Sequence, residues 1–166
     1  MSVAVMDHAA GHVTISHPSG TIAVPNDAVM RFTTPMWGFD GHVEFALLPA
    51  ARRGVWWLIA VGEAPTTFVL ADPFVVQAGY GIDINAAERE ELQLENDSDA
   101  LALVMLTLAS SVGAPVTANF RAPLIFNLAK RLAKQVVNRD EAYSLSQPVD
   151  LTVYPNADDA HIEVSR

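Results

Sequence analysis

Thr117 to Val137 reads TANFRAPLIFNLAKRLAKQVV, and how this stretch folds decides how the rest of the chain is read. It opens by alternating. Val116, Ala118 and Phe120 share one parity and Thr117, Asn119 and Arg121 the other, which is the two-residue period of a strand with unlike faces. Pro123 has no backbone donor and marks a bulge or a sheet edge. The apolar run Leu124-Ile125-Phe126 follows, then the basic segment Asn127 to Lys134, then Gln135-Val136-Val137. The reading taken is two strands joined by a basic connection. The alternative is one helix from Leu124 to Val136, because Leu124, Leu128, Leu132 and Val136 recur every four residues. Periodicity alone does not separate the two.

Outward from this stretch the chain is a series of short apolar segments between turns. Val13 and Ile15, then Ile22 and Val24, alternate around His17-Pro18-Ser19-Gly20 and predict a hairpin over His12 to Val24. Met30 to Phe32 is short and apolar, and His42 to Leu48 alternates. Val55 to Val61 is apolar on both parities, as expected of a strand covered on both faces or lying near a partner surface. Glu63-Ala64-Pro65 turns into a strand over Thr67 to Ala71, which Asp72-Pro73 ends. An Asp before Pro is extended and bonds a nearby backbone amide, a structural role. Ala86 to Glu91 is the one short helix placed, Leu101 to Leu108 a central strand, and Val149, Leu151 and Val153 a last strand. Many short strands with turns between them indicate an all-β barrel or sandwich.

Trp37 and Phe39 lie on the loop Pro35 to Gly41. They are read as rings that fold back to close a barrel end, with partner contact as the alternative. The length of 166 residues suits one domain, and 51% apolar content suits a folded core. With no Cys, disulfides and thiolate zinc sites are excluded, which is compatible with a reducing cytoplasm. Met1 to His12 lacks the pattern of a signal peptide. The longest apolar run, Ala100 to Ala109, is too short to span a bilayer, so neither export nor a membrane is expected.

The net charge of −9 argues against nucleic acid as a direct partner and is compatible with a basic protein partner or with solubility alone. That charge is unevenly placed. Asp83 to Asp99 carries seven acids against Arg89 alone, and Arg121 to Arg139 carries five bases and no acid. Such polarity favours oriented docking to a protein, unless the two stretches fold together and neutralise one another. Gly11 and Pro18 break any helix that His8, His12 and His17 could share, and His17 sits in the predicted turn, so no metal site is expected. No phosphate loop, activated serine or positioned carboxylate pair is legible, so neither catalysis nor a cofactor is expected.

Asn119 to Asn127 and Gln135 to Val137 resemble the flagellar assembly factor FliW family, in which an Asn-x-x-Ala-Pro stretch leads into an apolar strand ending in Asn and a Gln-led strand follows. Gly38-Phe39-Asp40, Asp72-Pro73-Phe74 with Tyr80 beyond, and Tyr143 fall in the same order and spacing. The resemblance runs from about Ile15 to about Gln147. Trp37, and Leu58-Ile59-Ala60, depart from the family pattern. The resemblance implies a partly open antiparallel β-barrel, taken as one domain over residues 1–154, and the polar segment 155–166 is read as a loosely held tail. It also implies a cytoplasmic protein that binds flagellin and, where the host has one, a CsrA-type RNA-binding repressor. Asp83, Glu88, Glu90 and Glu91 are the expected steering charges, and Phe39, Phe74 and Tyr80 the expected apolar contacts. Gly38, Asp72, Pro73, Asn119, Pro123, Gln135 and Tyr143 are expected to be structural, with Asn119 and Gln135 satisfying backbone groups. A barrel holding a small apolar ligand is the competing function, and Trp56 and Trp57, large on both parities, argue for a filled interior instead.

Overall fold

The structure is a computed structural model that describes residues 5–7, 11–17, 20–62 and 66–156. The turns expected at Pro18-Ser19 and Glu63-Ala64-Pro65, His8, the side chains of His12 and His17, and the tail beyond Asn156 lie outside what is described.

Twelve strands make up the described chain: β1 Val5–Asp7, β2 His12–His17, β3 Gly20–Pro25, β4 Val29–Phe32, β5 Glu44–Pro49, β6 Val55–Ala60, β7 Thr67–Ala71, β8 Ala100–Thr107, β9 Val116–Ala118, β10 Leu124–Asn127, β11 Leu132–Gln135 and β12 Gln147–Val149. Two short α-helices, α1 Pro73–Val76 and α2 Ala86–Glu91, lie between β7 and β8. The helix alternative over Leu124 to Val136 is not formed. That stretch is the β10–β11 hairpin, registered Leu124↔Gln135 to Asn127↔Leu132.

Seven strands, in the order β10, β11, β4, β5, β6, β7, β8, close on themselves because β8 also pairs with β10. Closure removes the exposed edges that an open sheet would carry. All these junctions are antiparallel except β4–β11, which is parallel. Strand β8 can close the ring because it is long. Its first half bonds β10 (Leu103↔Leu124) and its second half bonds β9 (Leu106↔Ala118). Between β9 and β10 the chain swings away: the amides of Phe120 and Arg121 both donate to the Ser144 carbonyl, at 3.0 and 3.2 Å. Pro123 ends this excursion at a place where no ladder bond is missed.

The interior is packed with rings. Phe32 meets Phe45 edge-on at 5.2 Å and Phe126 at 6.1 Å, with Leu58, Leu70 and Leu103 around them, all fully or nearly fully buried. Each such side chain contributes about 2–3 kcal/mol of burial. Strand β6 is covered on both faces, as its two apolar parities predict: Leu58 and Ala60 face the interior, and Ile59 lies under Val13, Ile15 and Val24 of the β2–β3 hairpin.

The final strand expected over Val149 to Val153 is corrected. After β12 the carboxylate of Asp150 accepts the amide and hydroxyl of Thr152, at 2.9 and 2.7 Å, and the chain turns into a 3-10 helix, Leu151–Val153. Tyr154 then inserts into a cluster with Phe120 and Val104. Its hydroxyl donates to the Asp72 carbonyl at 2.6 Å, and its ring lies where a Cβ on Gly54 (φ +89°) would approach within 3.1 Å.

Candidate partner-binding surface

The acidic stretch is built around α2. Asn85 caps it, its side-chain carbonyl accepting the Glu88 amide at 2.8 Å. Beyond the helix Leu92 and Leu94 bury themselves against Ile125 and Val136 on the outside of the barrel. The end of α2 is held by Asn127, a buried residue to which the sequence assigns no role. Its amide group donates to the carbonyls of Leu92 at 2.8 Å and Gln93 at 3.1 Å. Its strand-terminal place and the nearby turn were the available signal. So anchored, the segment turns Glu90, Glu91, Glu95, Asp97 and Asp99 to solvent.

The two oppositely charged stretches meet. Lys134 pairs with Glu91 at 2.9 Å and Arg139 with Asp83 at 3.4 Å, while Arg89 pairs with Asp97 inside the acidic stretch. The ammonium of Lys134, helped by the Thr33 hydroxyl, holds the Glu91 carboxyl below the usual carboxylate range against the opposing cost of partial desolvation. Among the described residues Glu88, Glu90, Glu95 and Asp99 have no ion-pair partner. One Glu88 oxygen is shut from solvent without a hydrogen bond. Of the four acids singled out in the sequence, Asp83 and Glu91 are therefore tied to the basic stretch, and Glu90 stands exposed and unpaired.

Of the three apolar residues expected at one rim, Phe74 and Tyr80 touch, with ring centroids 5.8 Å apart, and Phe39 lies elsewhere. Phe39 folds back onto Phe68 with ring centroids 4.8 Å apart, whereas Trp37, two residues earlier, is 59% exposed. Tyr80 is interior. Its ring stacks edge-on against Tyr143 at 4.7 Å and Phe120 at 5.1 Å, and its hydroxyl donates to the Phe120 carbonyl at 2.5 Å. Burial pushes its phenol up to about 12. Phe74 is the member left outside, 44% exposed on α1 beside the equally exposed Val75. Phe74 and Asp83 line one groove of about 430 Å³, floored by Ile82, Ile84, Leu94 and Ile125 and bounded by the Arg89–Asp97 pair. The groove thus has an apolar floor and a charged rim.

The remaining motif residues are placed as follows. Asp72 caps α1 by accepting the Phe74 amide at 2.9 Å, with Pro73 at the first helical position. The Asn119 side-chain carbonyl accepts the Ala122 amide at 2.9 Å. Gln135 donates to the Ala122 carbonyl and accepts from the Trp37 amide, both at 3.4 Å. The Tyr143 hydroxyl accepts the Gly81 amide at 2.8 Å. Gly38 takes φ +86°, which favours glycine. Among the described residues no group of three or more His, Asp or Glu is disposed to hold a metal ion, and no helix is long and apolar enough to cross a membrane.

A closed seven-stranded β-barrel, jacketed by a hairpin on one side and a short acidic helix on another, is the class that these features define. The family model described as FliW protein matches residues 14–149, and the chain belongs to the FliW family. It is 30% identical over 131 residues to the flagellar assembly factor FliW of Bacillus licheniformis, covering 78% of this chain and 91% of that protein. It is 33% identical over 124 residues to that of Geobacillus thermodenitrificans, covering 75% and 85%. A crystal structure of a flagellar assembly factor FliW superposes with a TM-score of 0.71 at 29% identity, covering 86% of this chain and 97% of that one.

Proposed function

We propose that this chain is a flagellar assembly factor that works in the cytoplasm by binding proteins without making or breaking bonds. Flagellin is one partner, and a CsrA-type RNA-binding repressor, where the host makes one, is the other. Free flagellin competes for the chain and so sets how much repressor is held. The observation that carries this reading is the family match across nearly the whole barrel, from residue 14 to 149. The unpaired acids near α2 support it further, as charges suited to draw in a basic partner. The aromatic packing of the barrel interior disfavours the competing reading, a small apolar ligand held inside.

The test is a titration of the purified chain with flagellin and with the CsrA-type protein of the same host, followed by calorimetry. Binding of both, with flagellin displacing the repressor, is the expected result. Failure of either protein to bind at micromolar concentration contradicts that part of the proposal.

A further inference from the structure

A different groove, of about 410 Å³, opens where the parallel β4–β11 seam meets the turn of the β10–β11 hairpin. Arg31, Lys130 and Arg131 line it, with Asn26 and Glu44. None of the three cations has a carboxylate within ion-pair distance among the described residues, whereas Arg89, Arg121, Lys134 and Arg139 each have one. Three unpaired positive charges thus converge in a chain of net charge −9.

The backbone adds a second observation. Arg131 sits in the left-handed region at φ +56°, where glycine is the less strained choice, and the chain carries a guanidinium there instead. That guanidinium donates to the Asn26 carbonyl at 3.1 Å, and the Arg131 carbonyl accepts the Arg31 amide at 2.9 Å, which holds the cations together.

We propose that this groove docks a short acidic segment of a partner polypeptide. A long polyanion such as RNA would have to approach against the charge of the whole molecule. A few carboxylates feel chiefly the local field, within a Debye length of about 10 Å. The lining also holds the Glu44 carboxylate, which a peptide backbone meets with an N–H group and which repels a phosphate dianion. The inference stands apart from the acidic flank and from the identity of the partners proposed above.

The experiment measures fluorescence anisotropy of a fluorescein-labelled dodecapeptide of alternating Glu and Ala, titrated with the full chain at low salt. Saturable binding that weakens as salt is added is expected, with about a tenfold or greater loss in the double variant Lys130→Ala, Arg131→Gly. Glycine suits the angle at 131, so this variant should melt with the wild type. Arg53→Ala, elsewhere on the surface, should bind as the wild type does. No saturable binding, or a loss in the double variant no larger than that of Arg53→Ala, overturns the proposal. Displacement of the peptide by an equal concentration of inorganic phosphate or of an oligouridylate overturns the choice of a polypeptide as occupant.

Discussion

The two ends of the basic stretch are used in opposite ways. At its far end Lys134 and Arg139 lie against Glu91 and Asp83, so that cation and anion close on one another across the outside of the barrel. At the hairpin turn Lys130 and Arg131, joined by Arg31 from the neighbouring strand, have no carboxylate within ion-pair distance among the described residues, although Glu44 lines the same groove. A tally along the sequence treats these residues as one positive block. Folding splits the block into charges paired within the molecule and charges left without an ion-pair partner among the described residues. The acids divide in the same way, with Asp83 and Glu91 paired and Glu90 and Glu95 unpaired.

The strongest way to break this contrast is to invert the paired end. Lys134→Glu combined with Arg139→Glu turns two attractions into repulsions and should lower stability by about 2 kcal/mol in chemical denaturation. Removing the same number of cations at the turn, with Lys130→Ala and Arg131→Gly, should leave stability within about 0.5 kcal/mol of wild type, because neither charge is ion-paired among the described residues and the relief of the angle at 131 offsets the lost hydrogen bond to the Asn26 carbonyl. Equal losses in the two double variants would erase the distinction between the ends.

A smaller effect sharpens the contrast through pH. The Glu91 carboxyl is depressed in the folded state, chiefly by the hydrogen bond from Lys134. Its contribution is therefore complete above the ordinary carboxylate value and lost as pH falls through the lower folded value. In thermal melts below about pH 4 the wild type should lose stability more steeply than Glu91→Gln. Parallel acid limbs would show that the Lys134 pair does no stabilising work.

Much of the barrel was legible in the sequence because its strands carry unlike faces or, as in β6, apolar residues on both. The Leu124 to Val137 stretch was ambiguous, since a four-residue apolar spacing fits a helix equally well. What settles it is non-local: Phe126 packs on Phe32 and β10 pairs with β8. Helix α1 went unplaced although its signal was present, with Asp72 as cap and Pro73 at the first position. The parallel seam between β4 and β11 has no local signature. Of the candidate contact surface, the exposure of Glu90 followed from helix patterning. The burial of Tyr80 beneath the exposed Phe74, and the turning of Phe39 onto Phe68, did not, because composition cannot show which aromatic ring turns inward. The pairing of Glu91 with Lys134 spans 43 positions and is invisible to any local rule.

The central claim is that the unpaired acids near α2 act on another polypeptide. The direct measurement is the association rate of the chain with the CsrA-type protein as ionic strength is raised, for wild type and for Glu90→Lys combined with Glu95→Lys. Steering by these charges predicts slower association in the variant at low salt and a flatter salt dependence. An unchanged rate with an unchanged slope would contradict it.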